Sequence, residues 1–310
     1  MERVTTKVRV LSIIGLLLAV VIWGLNYIAQ SQGAQHLGPF TFNFFRMSIG
    51  SLVVFPMVLF RNYKKNGKIQ FWENSNDKIN TIKGGVICGS FLIMGLFTQQ
   101  LGLRYTAIGK AGFLSSLSVI FVPLIGIALK KKVYLYQWVG IIIALIGVGF
   151  LSLNNVTGIQ SGDLLLMSTS FFIALHVISS GYYNKRVDNF QFTVLRFLWG
   201  AILCFIFMVL FEDINIEGIK TVFPFILFSG VVASGLAFTL MAVSQRSLNN
   251  VTTSIIMSLE SVFAALSGWL ILGQVMTTRE IIGSIIVFSA VMGMQVYGEL
   301  KNKGNIEESF

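Results

Sequence analysis

Long apolar runs, broken by short polar stretches, follow one another along almost the whole chain. Ten of them, near residues 10–30, 40–60, 82–101, 111–129, 135–153, 162–183, 191–211, 221–243, 252–271 and 280–297, approach the about 20 residues that a helix needs to cross the hydrocarbon of a bilayer. The runs are continuously apolar and do not alternate as barrel strands do, and lipid offers a strand's backbone no partners. The pattern therefore predicts an all-α integral membrane protein with ten transmembrane helices. The first run follows a basic start but continues into Gln30, Ser31 and Gln32 without a cleavage signal, so it reads as a retained helix. The longest break, 61–83, carries six basic residues and too little apolar material for a core, which leaves no room for a soluble catalytic or sensor domain.

Composition agrees with this pattern. The 310 residues are 55% hydrophobic and 12% charged, with a mean hydropathy of +0.77, outside the range of soluble domains. A formal charge of +10 raises the question of nucleic acid, but the basic residues sit in clusters between apolar runs and form no continuous basic face, so no nucleic-acid partner is expected. The clusters instead orient the spans. With the amino terminus in the cytoplasm, the basic residues of the loops fall inside except for Arg104, Lys110, Lys220 and Arg279, and Arg46 and Arg196 lie within spans. Both termini then face the cytoplasm, with residues 301–310 as a polar tail. Cys88 and Cys204 lie within apolar runs without metal or redox spacing.

The chain also repeats itself. Phe42, Asn43, Phe44, Phe45 and Arg46 of the second run match Phe192, Thr193, Val194, Leu195 and Arg196 of the seventh at an offset of 150, which also pairs Asn26 with His176. Arg104 matches Arg246, Phe121 matches Phe263 and Gly126 matches Gly268 at an offset of 142. The longer basic loop of the first half absorbs the difference. Because each half holds an odd number of spans, five, the two halves, 1–155 and 156–300, must be inverted across the membrane. Inverted five-helix units build a site at their interface and expose it to each side in turn.

Several segments carry a family resemblance. The first span reads Trp23, Gly24, Leu25, Asn26. The junction of the third and fourth reads Gln99, Gln100, Leu101, Gly102, Leu103, Arg104, Tyr105, Thr106, then Gly109, Lys110, Ala111, Gly112, Phe113 and, later, Val122 and Pro123. The ninth reads Ser258, Leu259, Glu260, Ser261, Val262, Phe263, Ala264, Ala265, Leu266, then Leu272 and Gly273. In order and spacing these resemble the EamA group of the drug/metabolite transporter superfamily, ten-helix carriers with two inverted repeats. The resemblance implies movement of amino acids, other metabolites or drugs through a central cavity lined by the first, third, fourth, sixth, eighth and ninth helices. Ser261 stands where the family usually has proline and Gln274 where a second glutamate is common, which leads us to expect a straighter ninth helix.

Intramembrane polar residues are costly and mark functional sites. Glu260, near the middle of the ninth span, is the first candidate, either as a proton-coupling group or as a structural carboxylate. His176 can bind substrate, relay a proton or simply bridge helices. Trp23, Asn26, Tyr27, Gln99, Phe113 and Met257 complete the expected substrate-binding set; of Gln99 and Gln100, neighbours on one helix, only one is expected to face the cavity. Arg46 and Arg196, equivalent in the two halves, are expected to be structural charges, with carboxylate binding as the minority role. No phosphate loop, paired-histidine motif or nucleophile elbow is present, so no enzyme activity, ATP, metal or cofactor is implied. The reading is a carrier in the cytoplasmic membrane, moving a small solute by alternating access, outward, by facilitated diffusion or proton exchange. A cation-coupled importer is the alternative within transport, and an intramembrane enzyme or sensor the one outside it. The expected partners are a small-molecule substrate and the lipid bilayer, and a monomer is the expected working unit.

Overall fold

The structure is a computed structural model that describes residues 6–72, 77–106, 108–131, 133–152, 161–273 and 277–307. Among them every regular element is helical: α1 (Thr6–His36), α2 (Pro39–Asn66), α3 (Lys78–Gly102), α4 (Ile108–Ser116), α5 (Ser118–Ala128), α6 (Leu135–Ser152), α7 (Ser161–Tyr183), α8 (Asn189–Phe211), α9 (Ile216–Leu227), a π-helical segment (Phe228–Leu236), α10 (Ala237–Ser244), α11 (Asn250–Met257), α12 (Glu260–Leu272) and α13 (Thr278–Glu307). Seven helical stretches are long and apolar enough to cross a membrane, and shorter apolar helices cover Leu114–Ala128, Leu135–Phe150 and Ile281–Met294. Large apolar side chains such as Leu52, Phe60, Leu210 and Leu270 stand exposed, a cost in water and none in lipid.

The ninth apolar run, expected to be straighter without the proline, is not one uninterrupted α-helix. It tightens at Ser258 and Leu259, between α11 and α12, where the Ser258 amide is shared between the carbonyls of Ser254 and Ile255 and the Leu259 amide reaches back only three residues to Ile256, all at 3.1 Å. The cause is serine: the hydroxyls of Ser254, Ser258 and Ser261 each donate to the carbonyl three residues earlier, at 2.9, 2.6 and 2.8 Å, and such back-bonding bends helices. The fourth run is interrupted at Leu117, between α4 and α5, the position equivalent to Leu259. Gln274, the other departure in this region, lies outside the described residues.

The repeat is visible atom by atom. Arg104 donates from Nε and Nη2 to the carbonyls of Ala34 and Leu37 at 2.9 and 2.5 Å; Arg246 donates from the same atoms to Asn184 and Val187 at 3.1 and 2.9 Å. All three pairs of residues correspond across the repeat, and each guanidinium caps the exposed end of a long helix.

Where the halves meet, α2 lies against its counterpart α8 and their opposite ends touch. Glu212, just past α8, accepts from the amides of Phe40 and Thr41 at 2.8 Å each and from the Thr41 hydroxyl at 2.7 Å, at the start of α2. At the other end Arg61 of α2 pairs with Asp188, which begins α8. The two equivalent helices are therefore antiparallel, the arrangement inverted halves require. Asp188 caps its own helix by accepting from Phe190 and Gln191, the residues equivalent to Phe40 and Thr41. Gly38, the equivalent of Asp188, has no side chain to offer, and a Cβ there would collide with the Glu212 carboxylate. One helix caps itself and the other is capped by its twin.

Removal of that carboxylate in Glu212→Ala leaves the α2 donors open and should cost about 1–2 kcal/mol, read as a lower unfolding midpoint in detergent. Because Gly38 already has the extended backbone of an N-cap, φ −63° and ψ 153°, adding Gly38→Asp to that variant should recover part of the loss. No recovery would contradict the exchange of caps.

Candidate functional site

A cavity of about 40 Å³ lies inside the bundle, enough for a few waters. Its lining follows the repeat. Five equivalent pairs contribute: Trp23 with Ile173, Asn26 with His176, Leu96 with Phe238, Ser115 with Met257, and Ser118 with Glu260. Residues from matching places in antiparallel halves meet only around the axis that relates them, so the cavity is centred on the internal symmetry. Gln30, Arg46, Gln99 and Ser116 complete it. The lining thus comes from the first, third, fourth, sixth, eighth and ninth apolar runs, and from the second through Arg46.

The two kinks place Ser118 and Glu260 at the first positions of α5 and α12, and both line the cavity. A helix start favours an anion, which suits Glu260. Its other electrostatic neighbours are the Arg46 guanidinium and the Tyr27 hydroxyl. Tyr27 is buried beside the cavity, accepts from Gln99 Nε2 at 3.1 Å and is absent from the lining. Gln100 turns away and donates to the Gln30 carbonyl at 2.9 Å. Met257 lines the cavity. Phe113 lies within α4, but its side chain is outside the described residues.

The two intramembrane arginines, equivalent in sequence, part company here. Arg46 lines the cavity, donating from Nε to Ser234 Oγ at 2.9 Å and from Nη1 to Gln30 Oε1 at 3.3 Å. Arg196 stays out of it: Nη1 lies 3.2 Å from His176 Nε2, and the guanidinium sits 5.1–5.2 Å from the ring centres of Phe192, Phe197 and Phe238. Gly85 and Gly89 let α3 approach at this point, since a Cβ on Gly89 would come within 2.7 Å of the Arg196 carbonyl. Both arginines bond buried side chains, Arg196 with its Nε left without a partner, and Arg46 in addition puts positive charge on the cavity. His176 carries one face of each environment, lining the cavity and contacting Arg196.

On the first-half side, Trp23 donates its indole N–H to the Ala233 carbonyl at 2.9 Å and lies against Phe238 with ring centres 4.8 Å apart. Asn26 accepts from Ser229 Oγ at 2.6 Å through Oδ1, while its Nδ2 has no partner in the protein. Gln30, Leu96, Ser115, Ser116, Ser118, Ile173 and Phe238 line the cavity without having been singled out from sequence; the repeat offsets pair Ser115 with Met257, Ser118 with Glu260 and Ile173 with Trp23 and were the available signal for those three.

The comparisons with known proteins agree with this geometry. The model of the EamA-like transporter family matches residues 10–153 and again 160–295. The chain belongs to the EamA-like transporter family. It is similar to an uncharacterized transporter of Archaeoglobus fulgidus, 27% identical over 92% of this chain and 85% of that one. It is also similar to the uncharacterized transporter YoaV of Bacillus subtilis, 23% identical over 88% and 93%. A protein of known crystal structure shares the fold, with a TM-score of 0.73 at 14% identity over 92% of this chain and 98% of that one. This EamA-family chain is a multi-pass membrane transporter.

The Arg196 arrangement gives a direct check. His176→Ala takes away an acceptor and leaves a buried guanidinium short of partners, which should cost about 1–3 kcal/mol. Adding Arg196→Met should recover part of it, since removing both partners is cheaper than stranding one. The readout is the unfolding midpoint in detergent.

Proposed function

We propose that this transporter is a secondary carrier that moves a small polar or amphipathic metabolite, an amino acid, an amine or a drug-like solute, outward across the cytoplasmic membrane by alternating access. In this reading ten spans form two inverted repeats, 1–155 and 156–300, with both termini and the tail 301–310 in the cytoplasm. The observation that supports it is the lining of the cavity by equivalent residues of antiparallel halves, because a site on such an axis has the same relation to both faces of the membrane. Trp23 and Phe238 supply apolar surface, Arg46 a cation, Glu260 a carboxylate, and Asn26 an open donor. With room for only a few waters, the cavity corresponds to a closed stage of the cycle, and rocking of one half against the other admits the solute.

Glu260 is the proposed proton-coupling group. It lines the cavity and shares it with a cation, so loading the site and moving a proton on or off the carboxylate compete electrostatically. His176 is the second candidate, although its contact with Arg196 ties it to the packing of α7 against α8.

The test is flux in proteoliposomes loaded with radiolabelled phenylalanine, leucine, tyramine or uridine. Gradient-driven efflux of at least one, above that of empty liposomes, is expected. With an imposed proton gradient, Glu260→Gln should abolish accumulation against the solute's own gradient and leave the unfolding midpoint nearly unchanged. Undiminished proton-driven accumulation in that variant would remove Glu260 from the coupling role, and catalytic turnover without flux would overturn the carrier itself.

A further inference from the structure

Three of the residues that line the cavity from the first half are held by one short stretch of the second. Ser229 Oγ donates to Asn26 Oδ1 at 2.6 Å, the Ala233 carbonyl accepts from Trp23 Nε1 at 2.9 Å, and Ser234 Oγ accepts from Arg46 Nε at 2.9 Å. All three anchors fall within Phe228–Leu236, the π-helical segment. The next turn places Phe238 in the lining.

The π register draws the three anchors toward one face. At 3.6 residues per turn, Ser234 would stand about 140° around the helix from Ser229, whereas their partners, Asn26 of α1 and Arg46 of α2, both line one cavity. A helix closed by bonds to the fifth residue brings i and i+5 back toward one face, and the Ala237 amide does bond the Val232 carbonyl, five residues earlier. Two glycines press this face against α2: a Cβ on Gly230 would lie 2.6 Å from Ile49 Cβ, and one on Gly235 2.9 Å from Val53 Cγ1. The equivalent stretch of the first half, 86–94, lies inside the regular α-helix α3. The wide turn is thus an asymmetry between otherwise matching halves, and it coincides with the asymmetry between Arg46, on the cavity, and Arg196, beside it.

We propose that the π-helical segment is the positioning element of the transport site, with Ser229 and Ser234 as positioning residues that act through Asn26 and Arg46. Ser234 holds the Arg46 guanidinium against the cavity and so sets its electrostatic preference for anionic groups. Ser229 fixes the Asn26 amide so that Nδ2 stays open to a ligand's acceptor. The proposal rests on the carrier reading, because it takes the cavity to be a site that opens.

A test that needs no known solute uses charged thiol reagents as probes. Ser115 lines the cavity, so Ser115→Cys is a suitable reporter in the full chain, with labelling of the buried Cys88 and Cys204 subtracted by using the chain without that substitution. In detergent, the labelling rates of anionic sulfonatoethyl and cationic trimethylammonioethyl methanethiosulfonate are compared as a ratio. Ser234→Ala should lower the anionic-to-cationic ratio several-fold, and Arg46→Gln should lower it at least as far. In the Arg46→Gln background, Ser234→Ala should change nothing further. Ser229→Ala, which touches no charge, should leave the ratio within about twofold.

A ratio unmoved by Ser234→Ala, or moved equally with and without Arg46, overturns the positioning role while leaving the carrier reading intact. Failure of both reagents to label the Ser115→Cys reporter would mean that the cavity never opens, and would overturn both. The unfolding midpoint of each variant, measured alongside, separates a change of orientation from a loss of fold.

Discussion

The hydrocarbon interior of a bilayer offers a polar group no hydrogen-bond partner, so a group buried there is costly unless the protein or a cavity supplies one. Two buried arginines pose the problem most sharply, and the way each is satisfied organises the molecule. Arg196 is absorbed by His176 and three aromatic rings. Arg46 is held at its edges by Ser234 and Gln30 and keeps contact with the cavity. Equivalent positions in a duplicated chain thus reach different ends: one arginine bridges two helices and the other lines the cavity.

Antiparallel pairing of α2 and α8 makes that division possible. It brings the start of each helix to the end of its twin, where Glu212 and Asp188 solve the same capping problem from opposite sides, and it places the kinks at Leu117 and Leu259 on either side of one axis. The kinks set Ser118 and Glu260 at helix starts facing the cavity. Of this equivalent pair only one is ionisable, so the chemistry of the cavity is asymmetric even where the backbone of the two halves matches.

Much of this was legible in the sequence. Each of the ten apolar runs falls on a helical stretch, seven of them long and apolar enough to cross a bilayer and three shorter, because hydrophobic length is a direct physical requirement of the bilayer. The offsets of 150 and 142 carried through to the caps of Arg104 and Arg246 and to the paired lining of the cavity. Local backbone geometry was not legible. The ninth run reads as straighter because proline is the familiar kink signal, whereas three serine hydroxyls bond backward around a tightened turn at Ser258 and Leu259. The π turn leaves no simple mark on composition. That Glu212 caps a helix 171 residues away in the chain depends on an absent side chain at Gly38, a feature visible only once the two ends are neighbours.

Sided accessibility of the cavity tests the account most directly. A cysteine placed at Ser118, in sealed vesicles of one orientation, is exposed to a membrane-impermeant thiol reagent from either face. The account expects labelling from both faces, with a crosslink that holds one face closed raising the rate at the other. Labelling from a single face under every condition, or from neither, would contradict a site shared by inverted halves.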